Sequence, residues 1–236
     1  MAVKIELCAA SIEAIEIAKK FNLDRIELCQ DLEQGGLTPS AGLIQFAVAR
    51  GIETHVLIRP RAGGFNYSAL ELEVMMNDIL VAKKLGAKGV VVGVLQANFE
   101  LDIAALKQLK EISEGLEITF HRAFDESIDW KKSIDSLVEI GFNRILTSGF
   151  ATNVEIGMEL LKQMANYAND RIEISPGGGV SAANVSRLIS YIQPAAVHFS
   201  GTIKQILNED SLFSETVLIV DEKRVVRILE SIKSNQ

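Results

Sequence analysis

VKIELCAASIEAIEIAKKFNLDRIELC, residues 3–29, contains the pattern that decides the fold. Its two ends, Val3–Cys8 and Arg25–Cys29, alternate apolar and polar side chains, which predicts two β-strands. The run between them, Ser11–Lys20, has the apolar spacing of a helix. A strand, a helix and a second strand in this order predict two parallel strands joined by a right-handed crossover.

The same alternation continues along the rest of the chain. Six further strands are predicted, at Glu53–Arg59, Gly89–Val94, Glu117–His121, Arg144–Thr147, Arg171–Ser175 and Ala196–Ser200. Helices are predicted at Pro39–Arg50, Ser68–Leu85, Asp102–Glu114, Trp130–Ile140, Val154–Ala168, Ala182–Tyr191 and Arg224–Lys233. Eight such units in 236 residues predict one α/β domain over residues 1–236, a (β/α)8 TIM barrel. The alternative is a doubly wound open sheet, which usually has fewer strands at this length.

Composition and charge narrow the functional class. The net charge of −7 argues against a broad nucleic-acid surface. No apolar run reaches the roughly 18–20 residues that cross a bilayer. A carboxylate, Glu6, stands where a signal peptide would be apolar, and two cysteines make no disulfide framework. We therefore expect a cytoplasmic protein with neither nucleic acid nor membrane as partner.

The strand phase predicts a charged barrel interior. Successive side chains of a strand face opposite sides, so aliphatic Ile5, Leu7, Ile26 and Leu28 should face the helices. The other phase then points inward and contains Glu6, Cys8, Glu27, Cys29, His55, Leu57, Arg59, Thr119, His121, His198 and Ser200. A buried carboxylate needs a cationic partner, and we expect Arg59, Arg61 and Arg122 to serve Glu6 and Glu27. Barrel enzymes place their sites at the C-terminal strand ends, although a purely structural ion-pair network is the alternative.

Two features suggest ligands for this interior. The glycines Gly177, Gly178 and Gly179 follow the seventh strand and Ser200 ends the eighth, where barrels often bind phosphate, although such a run can also be a simple tight turn. The inward thiols of Cys8 and Cys29 lie on neighbouring strands, and soft thiolates favour Cu(I). Free cysteines also serve as small apolar fillers, so this pattern leaves both roles open.

Six segments form one ordered series: Ile26–Cys29, Gly35–Ser40, Ile58–Arg61, Thr119–Asp125, Ile145–Gly149 and Pro176–Gly179. Together they resemble the CutC family, the so-called copper homeostasis proteins, from about residue 4 to residue 201. The resemblance implies a barrel fold, a cytoplasmic location, an association with copper tolerance and a homodimer or larger homo-oligomer. Cys8 and Cys29 fall on positions proposed to bind copper in some members. The chain departs from the family pattern at Gly64, where an aspartate is usual, and at Gly201-Thr202, where Ser-Ala is usual.

Two functions follow as hypotheses. In the first, copper is bound by Cys8 and Cys29. In the second, the chain is an enzyme of the isomerase or lyase type that transfers protons on a small anionic or phosphorylated metabolite; whether it is an enzyme at all stays open. The candidate catalytic residues are Glu6, Glu27, His121, Arg122 and Asp125. The candidate substrate-binding residues are Arg59, Arg61, Thr147, Ser148, Gly177, Gly178, Gly179, His198 and Ser200.

Overall fold

Eight parallel strands form the centre of the computed structural model, which describes residues 3–207, 212 and 215–233. They are β1 (Lys4–Ala9), β2 (Arg25–Leu28), β3 (Glu53–Leu57), β4 (Gly89–Val92), β5 (Glu117–Phe120), β6 (Arg144–Thr147), β7 (Glu173–Pro176) and β8 (Ala196–Phe199). The order is β7-β6-β5-β4-β3-β2-β1-β8, and a parallel bridge between Gly177 and His198 joins the two ends. The predicted (β/α)8 TIM barrel is therefore confirmed.

Eight helices cover the outside of the barrel in the described part of the chain. They are α1 (Ile12–Lys20), α2 (Ala41–Ala49), α3 (Ala69–Lys84), α4 (Ile103–Ile112), α5 (Trp130–Ile140), α6 (Met158–Ala168), α7 (Val185–Ile192) and α8 (Glu222–Lys233). The predicted start of α2 at Pro39 is wrong, because the side chain of Ser40 caps the helix by accepting from the Leu43 N–H. The predicted start of α6 at Val154 is also wrong: Val154 donates its N–H to the carbonyl of Gly178, which keeps it in a loop.

A two-stranded antiparallel hairpin, β9 (Thr202–Leu207) and β10 (Glu215–Val220), lies between β8 and α8 and was not predicted. Gly201, with φ +60°, turns the chain into the hairpin, and a Cβ there would lie 2.7 Å from Val225 Cγ2 of α8. This close approach gives a physical reason for glycine at one of the two departures from the family pattern. The Leu218 N–H donates to the carboxylate of Glu33, which fixes the hairpin to the loop after β2.

The side chains of the strands face as the alternation predicts. Leu7, Ile26 and Leu28 belong to the large core between strands and helices. Cys8 and Cys29 form a separate buried cluster inside the barrel with Leu57 and Val91. Within the described residues, no helix combines the length and the apolar character needed to cross a membrane.

Candidate functional site

A cavity of about 850 Å³ opens at the C-terminal ends of the strands. Ten of the residues predicted for the site line it: Cys8, Glu27, Arg59, His121, Arg122, Asp125, Gly178, Gly179, His198 and Ser200. Arg224 and Arg227 of α8 line it as well and were not predicted. The helical pattern of α8 was visible in the sequence, but nothing in it showed that this last helix contributes side chains to the cavity.

Six predicted residues lie outside the lining. Glu6 sits deeper in the barrel, Cys29 is fully buried beside Cys8, and Gly177 is part of the bridge to His198. Arg61 faces a smaller hollow of about 300 Å³ and pairs with Glu71. Thr147 and Ser148 support the cavity instead of lining it: both hydroxyls donate to the carboxylate of Asp125, at 3.0 Å for Ser148.

The predicted partners of Glu6 are wrong. Its carboxylate accepts from Arg25, which is 1% exposed, and pairs at 2.6 Å with His198 Nδ1. Burial alone would raise the pKa of Glu6, but the hydrogen bond and charge of His198, followed by the charge of Arg25, hold it well below its usual range. Burial would lower the pKa of His198, yet Glu27, Cys8 and Glu6 together raise it well above its usual range. Arg25 shares the inward phase of Glu27, so the alternation contained the signal for this missed residue.

The arginines expected to pair with the glutamates have other partners. Arg59 donates to the carbonyls of Gln34, Gly36 and Gly63, at 2.7, 2.8 and 2.9 Å. Arg122 pairs with Asp125 at 2.9 Å and donates to Ser148 Oγ at 2.6 Å. Arg59 therefore ties two loops together, and the charge of Arg122 is partly balanced within the chain.

Cys8 and Cys29 are free thiols whose Sγ atoms lie 3.8 Å apart. Metal–thiolate bonds of about 2.3 Å place two bound sulfurs about 3.8 Å apart in tetrahedral and about 4.0 Å apart in trigonal geometry. The hydrogen bond to Cys29, together with burial, raises the pKa of Cys8 well above its usual range. The spacing thus suits one metal ion, and binding would displace protons from the thiols.

His198 and Glu27 extend this group of donors. One ligand atom each of Cys8, Glu27 and His198 lies within 4.8 Å of the others. The Nδ1 of His198 is held by Glu6 and the ring also hydrogen-bonds to Cys8, so a metal at Nε2 would replace a proton of this ring. Metal-binding histidines commonly have their second nitrogen fixed by a carboxylate in this way. The residues present therefore fit a metal ion with soft and borderline ligands.

Glu27 and His121 bring acid–base groups to the same cavity. Burial raises the pKa of Glu27 to about 7, and its Oε2 has no hydrogen-bond partner among the described residues. Burial and the charge of Arg59 lower the pKa of His121 to about 3, so its ring is neutral. Its Nδ1 accepts from the Ala123 N–H at 3.0 Å, which places the ring proton on Nε2. The cavity thus contains a carboxyl group that titrates near neutrality and an imidazole that can donate a hydrogen bond.

Cationic groups also line the cavity. A Cβ on Gly178 would lie 3.0 Å from Arg122 Nη1, so the guanidinium lies directly over this glycine-rich loop. Arg224 donates to the carbonyl of Thr202 at 2.9 Å and Arg227 to that of Lys223 at 3.2 Å. Both keep further N–H groups for a ligand, because a guanidinium has five donors.

Comparisons with known proteins identify the relatives of this chain. The sequence profile of the CutC family matches residues 3–203. A CutC family protein of Glaesserella parasuis serovar 5 is 41% identical over 231 residues, covering 98% of this chain and 95% of the relative. One from Bacteroides thetaiotaomicron is 40% identical over 248 residues, with 98% of both chains covered. The solved structure of a CutC protein from Streptococcus agalactiae bears the name of a copper homeostasis protein. It has a TM-score of 0.80 to this chain and 39% sequence identity, and the match covers 84% of this chain and 98% of that chain. The profile match includes all eight barrel strands, whereas Arg224 and Arg227 lie beyond it.

Proposed function

The chain belongs to the CutC family, and from this premise we propose that it acts in copper homeostasis by binding Cu(I) between Cys8 and Cys29. The observation that carries the proposal is the 3.8 Å separation of the two thiols. Thiolates are the ligands that Cu(I) prefers, and His198 Nε2 becomes a third ligand once its proton is displaced. Copper is the cargo in this proposal and enters through the open cavity.

The neighbouring residues prepare the thiols for the ion. Both thiols must lose their protons when copper binds. Glu27, whose pKa is about 7, lies beside Cys8 and accepts one of these protons at a carboxylate oxygen. Glu6 fixes the orientation of the His198 ring. We place this function in the cytoplasm, where reducing conditions keep free thiols free. Assembly into a homodimer or a larger homo-oligomer remains an expectation from the family.

Competition for Cu(I) with a chromogenic chelator tests the proposal. Cys8→Ser and Cys29→Ser should each abolish stoichiometric binding, because one thiolate and one imidazole hold the ion far less tightly. Ser200→Ala is the matched control, since Ser200 lines the cavity but offers no soft ligand. Parent-like affinity in both cysteine variants would remove the thiols as ligands.

A second function is favoured by the size of the cavity and by Glu27. A volume of about 850 Å³ is far larger than a metal ion needs and suits a small molecule. Glu27 can take or give a proton near neutral pH, while His121 Nε2–H can stabilise a developing oxyanion. Arg122 and Arg227 offer donors for a phosphate or carboxylate. We propose this arrangement as a site for proton transfer on a small anionic metabolite.

Titration with inorganic phosphate and simple phosphorylated sugars, followed by thermal shift, tests the second function. Bound anion should raise the melting temperature of the parent. Arg227→Ala should weaken this effect at least tenfold in apparent Kd, while Arg61→Ala, outside the main cavity, should not. If the parent binds none of these anions below millimolar concentration, the enzyme hypothesis fails and the copper proposal is unaffected.

A further inference from the structure

A second group of metal-type ligands lies at the opposite end of the barrel from the cavity. Glu53 is the first residue of β3 and Glu117 the first residue of β5. His55 points inward from β3 and packs over Gly89 of the intervening strand, where a Cβ would lie 2.6 Å from the ring. Only a glycine on β4 leaves room for the imidazole between the two carboxylates.

The distances within this group approach those between the ligands of a bound metal. His55 Nε2 lies 3.3 Å from Glu53 Oε1 and 3.8 Å from Glu117 Oε2. One ligand atom from each of the three residues lies within 4.8 Å of the others. Metal bonds of about 2.0–2.1 Å in tetrahedral geometry separate the ligand atoms by about 3.3 Å. A small closure of Glu117 toward His55 would complete this geometry.

His55 supplies an independent observation. Its side chain is 1% exposed, and its Nδ1 has no hydrogen-bond partner among the described residues. Its Nε2 lies against the carboxylates of both Glu53 and Glu117. The buried ring thus aims one nitrogen at two carboxylates, which is the arrangement that a shared metal ion needs.

Two arginines already pair with the carboxylates of this group and would compete with a bound cation for them. Arg25 Nη1 lies 3.5 Å from Glu53, and Arg144 Nη2 lies 3.2 Å from Glu117. Each arginine is shared with a further carboxylate, Glu6 for Arg25 and Glu173 for Arg144. Four carboxylates thus face two guanidinium groups, with His198 on the cavity side and Lys4 near Glu53 as further cations. A metal ion here would share the carboxylates of Glu53 and Glu117 with the two arginines.

We propose that Glu53, His55 and Glu117 bind a divalent cation of the Zn²⁺ class, separate from the copper site. One imidazole and two carboxylates suit such ions, whereas Cu(I) prefers thiolates. The carboxylate side chains are 36% and 45% exposed, so the ion enters from solvent at this end and water completes its coordination. Bound there, it joins β3 to β5 across β4.

Titration of the full-length Cys8→Ser/Cys29→Ser variant with Co²⁺ and Zn²⁺ tests the site without the thiols. We expect one Co²⁺ per chain, with a d–d spectrum that lacks sulfur charge-transfer bands, and displacement by Zn²⁺. Glu53→Gln and Glu117→Gln in this background should each weaken affinity at least tenfold. Two control variants are made in the same background. Glu173→Gln removes a carboxylate from the same end of the barrel, and Glu27→Gln removes a carboxylate from the cavity. Both variants should bind Co²⁺ as the background does.

The outcomes separate this site from the copper site. Absence of Co²⁺ binding in the background, or unchanged affinity in both Glu53→Gln and Glu117→Gln, overturns the proposal. Loss of affinity in Glu27→Gln alone also overturns it, since the ion would then sit in the cavity. If Glu53→Gln fails to fold, the more exposed Glu117→Gln decides the question. None of these results depends on Cu(I) binding by the parent.

Discussion

Among single residues, Glu6 is the carboxylate that pairs with two buried cations in the barrel interior. Its two carboxylate oxygens contact different cations, one on Arg25 and one on His198. Arg25 is 1% exposed, and so has no access to water if the carboxylate is removed. The cost of losing one member of a buried ion pair is therefore concentrated at this position.

Glu6→Gln should lower the free energy of unfolding by about 3–5 kcal/mol, because it removes the carboxylate that pairs with both Arg25 and His198 and leaves Arg25 only the more distant Glu53. Urea denaturation monitored by circular dichroism measures the change. The control is Glu16→Gln, which breaks the exposed pair with Arg50 and should cost about 0–1 kcal/mol. A loss below 1 kcal/mol for Glu6→Gln would show that the pair is not a net stabilising contact.

The depth of a residue in the barrel is where prediction from sequence failed. Period-two alternation gives the side that a side chain faces, and it correctly placed Glu6 and Glu27 inside. It gives no register between strands, and the register pairs Cys8 with Glu27 and Glu6 with Arg25. Glu6 is therefore one layer deeper than the cavity, out of reach of Arg59. This offset, which only the assembled sheet shows, produced the wrong partners.

Among the structural elements, the loops at the mouth depend on Arg59. It follows β3 and donates to carbonyls of the loop after β2 and of its own loop. Three of its five N–H donors are thereby used, and the Nε has no partner among the described residues. Its remaining donors can still face a ligand, so the predicted substrate-binding role stays a prediction.

Arg59→Lys tests the structural part of this role. Lysine keeps the charge but cannot reach three carbonyls in the planar geometry of a guanidinium, so we expect a loss of about 1–3 kcal/mol in the free energy of unfolding. Thermal and urea denaturation measure it. Arg50→Lys is the control at an exposed ion pair, that with Glu16, and should change stability by less than about 1 kcal/mol. Equal effects of the two substitutions would contradict the assigned difference.

The barrel elements were predictable and the hairpin was not, for a physical reason. Each barrel strand is followed by a helix whose apolar face repeats at a different period, so the boundaries are visible locally. The hairpin interrupts this order between β8 and α8, and its position depends on a distant contact, that of Leu218 with Glu33. No local pattern reports a contact between residues so far apart in the chain.

Across the whole molecule, the two ends of the barrel interior carry different electrostatics. The N-terminal end is filled by ion pairs that involve Arg25 and Arg144. The C-terminal end contains the cavity and a carboxyl group, Glu27, that is buried without a hydrogen bond at Oε2. Burying a carboxyl group so that its pKa lies near 7 lowers the stability of the whole fold once the group ionises, so this cost depends on pH.

Glu27→Gln should therefore change how stability depends on pH. Burial raises the pKa of Glu27 from 4.5 to about 7, which means that its contribution to stability is full below pH 4.5 and is lost as pH rises to about 7. The loss amounts to about 3 kcal/mol for a shift of this size. His198, with its raised pKa, adds a loss in the same direction at pH above about 6.5. His121 acts in the opposite direction: burial lowers its pKa from 6.5 to about 3, so its contribution to stability rises with pH up to about 6.5. The contribution of Glu27 is therefore measured as the difference between the parent and Glu27→Gln in urea denaturation between pH 4.5 and 8. Because the amide does not titrate, Glu27→Gln should become more stable relative to the parent as pH rises from 4.5 to about 7, while the exposed Glu16→Gln should follow the profile of the parent. A difference between Glu27→Gln and the parent that stays constant over this range would contradict the assignment of Glu27 as the group poised for proton transfer.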